Sequence, residues 1–151
     1  MNSFYNIIDK IKEVVSAEPF NNEITFGDIA DIDLKKQSLF PLAHIMVNNM
    51  NIEEQHVTFN ITLFLMDLVD ISNEPDSTLF LGNDNRQDIL NTQAALATRV
   101  IRVLQKSDLY KDQFQLIGTA SCEPFTERFD NMLAGWAITF DIGAKDEMTY
   151  C

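Results

Sequence analysis

Cysteine, histidine and positive charge are all scarce in this chain: 2 cysteines, 2 histidines and 11 Lys or Arg stand against 23 Asp or Glu in 151 residues. Cys122 and Cys151 form no metal-spaced motif and require no disulfide, so a reducing, intracellular site of synthesis is the simplest expectation. The cation deficit leaves a formal charge of -12, which opposes sequence-independent binding to nucleic acid or to an anionic membrane. No apolar run is long enough to span a bilayer. The opening MNSFYNIIDKIKEVV interleaves acids and bases with its apolar residues and so lacks the uninterrupted core of a signal peptide.

The parts of an enzyme are scarce too. The chain has no Gly-x-Gly-x-x-Gly, no Gly-x-x-x-x-Gly-Lys and no Gly-x-Ser-x-Gly. His44 and His56 fall within strand patterns, where a satisfied or exposed strand histidine outweighs a catalytic pairing with Cys122. Asp28, Asp31 and Asp33 in GDIADIDL invite a calcium reading but lack the glycine and distal glutamate of an EF-hand loop. A hydrolase built from Asp28, Asp31, His44 or His56 is the weakest reading. The expectation is no enzyme, no catalytic residue, no metal and no cofactor.

What is present is a foldable pattern. With 46% hydrophobic and 23% charged residues, the composition is that of an ordinary globular protein, and the length fits one domain over residues 1–151. Phe4, Ile7, Ile8, Ile11, Val14 and Val15 recur at helical spacing; Asn2 or Ser3 suits the start of that helix and Pro19 its end. A short strand is expected at residues 24–26 and a central strand in FPLAHIMV, followed by a polar stretch, NNMNIEEQ. In HVTFNITLFLMDLVD, Val57, Phe59, Ile61, Leu63 and Leu65 share one face. Its length of about 14 residues, at ~3.3 Å each, predicts a strand that bends or reaches past the body of the domain.

Residues 70–83 form a long loop with an apolar island, and residues 84–106 the main helix, with Arg99, Arg102 and Lys106 toward its C-terminal end. A strand over residues 114–120 then leads through residues 122–131 into the last one, where Trp136, Ile138, Phe140 and Ile142 alternate with Ala137, Thr139 and Asp141. Strands grouped before and after a central helix predict an α+β fold: a mostly antiparallel sheet with the N-terminal and central helices packed on one side.

The N-terminal helix, the strand ending LMDLVD, the acidic Pro-containing loop, RQDILNTQAALATRVIRVL and the closing CEPFTERFDNMLAGWAITFDI together resemble tail-completion or tail-terminator proteins of tailed bacteriophages. Ring proteins of short-tailed, crAss-like phages are similar in scale and order. The resemblance implies a tail-terminator-like structural virion subunit, made in the bacterial host cytoplasm, that closes a hexameric or dodecameric ring in the tail or head-tail neck. Its implied partners are further copies of itself and other tail, neck or portal proteins, with DNA only as passing cargo. It also implies that residues 123–133 project toward a neighbour. Leu79, Phe80, Phe125, Arg128, Phe129 and Met132 are the candidate contact residues, each weighed against packing on its own sheet. The alternatives are a head-completion or portal-adaptor ring and, from another class, an acidic binding module such as a DNA mimic or inhibitor.

Overall fold

Period-two alternation builds one sheet, and a computed structural model describes residues 2–18, 21, 23–27, 41–68, 86–106, 114–128 and 133–145. In chain order the elements are α1 (Asn2–Ser16), β1 (Glu23–Phe26), β2 (Leu42–Ile52), β3 (His56–Leu68), α2 (Arg86–Gln105), β4 (Phe114–Arg128) and β5 (Leu133–Lys145). The strand order is β1-β2-β3-β5-β4. β1 runs parallel to β2, and the other three pairings are antiparallel. The fold is therefore α+β, with a mostly antiparallel sheet.

Val57, Phe59, Ile61, Leu63 and Leu65 of β3 all point into the main core. They meet Ile7, Ile8, Ile11 and Val15 of α1 and Leu96, Ala97, Val100 and Leu104 of α2, which places both helices on one face of the sheet. Burying each of these side chains other than Ala97 stabilises the fold by about 1.5–3 kcal/mol. Trp136 Nε1 donates to the Leu90 carbonyl at 2.8 Å, tying α2 to β5.

The opposite face is divided. Toward one end of the strands Leu42, Phe64, Met66, Phe125 and Leu133 form a second, smaller buried cluster. Toward the other end runs a polar ladder, in which Asn48 Nδ2 donates to Asn60 Oδ1 at 2.8 Å and to Thr62 Oγ1 at 2.7 Å. Asn60 Nδ2 in turn donates to Asp141 Oδ1 at 2.8 Å, and the Thr62 and Thr139 hydroxyls lie 3.3 Å apart.

Three expectations need correction. The FPLAHIMV strand is not central: β3 holds that place, and β2 lies between it and the short β1. NNMNIEEQ does not end that strand, since β2 runs on to Ile52 and turns back through residues 53–55. Asn49, Met50, Asn51 and Ile52 keep the alternation that the low strand propensity of the asparagines hides, and a register shift at Asn48 lets the extra residue pass. Finally, β4 continues to Arg128. Its alternation is interrupted between Ile117 and Ser121, where Gly118 has a φ of 67°, and Pro124 is accommodated because β4 is an edge strand.

Gly135 marks a close approach of β5 to β3: a Cβ there would lie 1.9 Å from the Leu65 carbonyl oxygen. Because the obstacle is backbone in the middle of the sheet, Gly135→Ala is expected to cost about 3 kcal/mol or more. Urea denaturation checks this, and an unchanged midpoint would show that β3 and β5 can separate at that pair.

Candidate functional site

Both histidines and Cys122 fall among the described residues. His44 is fully buried on β2, with Nε2 2.8 Å from the Gly27 carbonyl and Nδ1 2.7 Å from Thr25 Oγ1. A carbonyl only accepts, so Nε2 carries a proton, and Nδ1 shares its hydrogen bond with the Thr25 hydroxyl. The histidine thus fastens β1 to β2. His56 lies at the β2–β3 turn, 2.8 Å from Glu53 Oε2.

Cys122 is an exposed free thiol on β4, opposite Ile138 and so on the helix-covered face. His44 stands opposite Phe64, on the other face and beyond two intervening strands, so these two do not meet. Burial pushes the Cys122 thiol up from its ordinary pKa, the reverse of what activates a cysteine nucleophile. Among the described residues no group of three or more His, Cys, Asp or Glu is placed to hold a metal ion, and no helix is long and apolar enough to cross a membrane.

Of the contact residues expected from the sequence, Leu79, Phe80, Phe129 and Met132 lie outside the described residues, as do Asp28, Asp31 and Asp33. Arg128 is in β4, paired with Leu133. Phe125 is only 7% exposed. Its ring meets that of Phe64 at 6.4 Å, reaching across β5 where Gly135 and Ala137 leave room. Residues 123–128 are thus part of the sheet and Leu133 is fully buried, while residues 129–132 lie outside the described residues. Alternation turns Phe125 toward the second cluster.

Two surfaces stand out that the sequence reading missed. The first is an apolar patch where the β2–β3 hairpin passes the N-terminal end of α1. Phe4 meets the rings of Tyr5, Phe26 and Phe59 at 6.4, 6.3 and 5.2 Å. Met50 stands opposite Phe59, and Ile52 opposite Val57. Tyr5, Phe26, Met50 and Ile52 remain 67%, 49%, 48% and 74% exposed. β1 pairs with β2 only as far as Ile45, so among the described residues β2 is an open edge through this region. The alternation of Met50 and Ile52 is the signal that could have revealed the patch.

The second is a cleft of about 360 Å³ between α2 and the irregular part of β4. Ala94, Ala97, Ile101, Ala120 and Trp136 give it apolar walls, while Arg102 and Cys122 also line it. Small residues on α2 leave the hollow, and the β4 register break borders it.

Asp67, near the end of β3, supplies a pH test. Burial raises its pKa above the ordinary value, an effect partly offset by the 2.8 Å hydrogen bond it accepts from the Leu68 N–H. The folded state therefore holds this proton more tightly than the unfolded chain does. Its contribution to stability is greatest below the ordinary carboxylate range and falls as pH rises through the raised pKa. Asp67→Asn is expected to raise the thermal midpoint at neutral pH, with the difference vanishing in acid; equal melting curves at every pH would show that the carboxylate is fully hydrated.

No protein-family profile matches this chain, and no curated protein matches it.

Proposed function

We propose that the chain is a structural subunit of a ring in the tail or head-tail neck of a tailed phage, acting as a tail terminator, tail-completion or tail ring protein. The observation that carries the assembly part of this reading is the pair of unlike exposed surfaces. The patch around Met50 and Ile52 belongs to the β1–β2 side of the sheet, and the cleft borders β4 at the other edge. Surfaces so placed on one subunit suit a heterologous, head-to-tail contact, which closes into a ring when the rotation between copies fits. The phage setting rests on the order and character of the segments that resemble tail-completion proteins.

In this role the chain performs no turnover, and DNA passes through the ring without being read. The formal charge of -12 fits a conduit that does not hold its cargo.

Light scattering at several concentrations, followed by negative-stain imaging, is expected to show closed rings of about six or twelve copies. Association should persist or strengthen as salt rises, because apolar burial holds the copies together while screening weakens the repulsion between acidic subunits. A chain that stays monomeric or dimeric and captures a basic partner only at low salt would replace this reading with that of an acidic binding module.

A further inference from the structure

We infer that the β2–β3 hairpin tip of one copy, with Met50 and Ile52 as its apolar knob, seats in the cleft between α2 and β4 of the next copy. The inference rests on the ring reading in taking a second copy of this chain as the occupant, and it names the surfaces that touch.

Shape is the first argument. Ile52 is 74% exposed and Met50 48%, on a hairpin whose last five β2 residues are all exposed, so the tip presents two apolar side chains to solvent beside the open edge of β2. The cleft is concave, about 360 Å³, and walled by alanines, Ile101 and Trp136. An apolar cavity of about 150 Å³ accepts a benzene-sized body, so this hollow has room for two aliphatic side chains.

Charge is the second. Glu53 and Glu54 follow Ile52 directly and are exposed at the turn. Arg102 lines the cleft, where its Nη1 donates to Gln105 Oε1 at 3.0 Å. A cation beside the hollow complements an acidic tip, with Glu54 the more available carboxylate because Glu53 already lies 2.8 Å from His56 Nε2. Such a rim contact contributes orientation more than affinity.

Geometry is the third. The tip lies at the His56 and Lys145 end of the sheet, on β2. The cleft lies beside the middle of β4, where Ser121 pairs with Thr139 and Cys122 with Ile138. Each copy therefore offers a knob on one side of the sheet and a hollow on the other, which leaves one of each free after a single contact and lets the contact repeat.

Cys122 in the cleft makes the contact measurable. In a Cys151→Ser background, Ile52→Cys places a thiol on the exposed tip. Oxidation should be run at alkaline pH, since burial raises the Cys122 pKa. Non-reducing gels are expected to show a ladder of linked copies that ends at the ring number, and adding Cys122→Ser should abolish it. Linked dimers that persist with Cys122→Ser would mean tip-to-tip contact and overturn the inference. Rings in negative stain with no linkage between positions 52 and 122 would overturn it too, while leaving the ring reading intact. A Cys122-dependent ladder that stops at two copies would keep the contact but make it reciprocal, overturning the ring. If neither rings nor linkage form, both readings fall.

Discussion

The unbroken antiparallel pairing of β3 with β5 is the constraint on which the rest of the molecule depends. Thirteen residue pairs run in register from His56 opposite Lys145 to Leu68 opposite Leu133. Because side chains alternate, this one register sends Leu63, Leu65, Trp136, Ile138 and Phe140 toward the helices and Phe64, Met66 and Ala137 away from them. A slip of one residue would exchange the two sets and strand an apolar face in water. Both helices then follow from the sheet, since each has one apolar stripe and only one large apolar face to place it on.

The face without helices shows why that register holds over such a length. Its polar half is a connected set in which Asn48, Asn60 and Asp141 bond across β2, β3 and β5. The register shift at Asn48 belongs to the same device, because the additional residue is the one whose amide bonds both Asn60 and Thr62. A satisfied network of this kind specifies alignment more than it adds stability. The apolar half does the same by volume. Gly135 and Ala137 are small where Phe64 and Phe125 must meet across the intervening strand. Thus from Gly135 to Ile142 β5 is apolar and bulky toward the helices, and small or polar toward the other side.

Elements with strong periodicity were legible in the sequence. The α1 stripe, the α2 stripe and the alternation of β3 and β5 each state their face directly, and from them the α+β class follows. Lost were the places where strand pairing overrides residue preference. The asparagines of β2 read as loop, yet they stay in the ladder because β3 offers a continuous partner. Residues after Ala120 read as a connection, yet on an edge strand the missing N–H of Pro124 is tolerated and β4 runs on to Arg128. The interaction surfaces were lost for the same reason. Met50 and Ile52 become visible as a patch only once β2 is known to continue, and the cleft exists only where α2 and β4 come together. Phe125 was conspicuous among charges in the sequence, but its partner Phe64 is brought to it by the sheet order alone.

Edge strands in this sheet also bear on how copies can meet. An open strand edge invites main-chain pairing with another chain, and that route is poorly specified because any extended segment can follow it. β4 is broken at two places in its register and carries Pro124, while the exposed run of β2 begins at a bulge. Main-chain addition along either edge is thereby handicapped. The side-chain features left beside those edges, a knob on β2 and a hollow beside β4, are specific in shape and unlike each other. In the ring proposed above, a chain carrying a strong negative charge would gain from that division: blunted edges would suppress indiscriminate stacking, and side-chain complementarity at the two opposite edges would set the angle between copies.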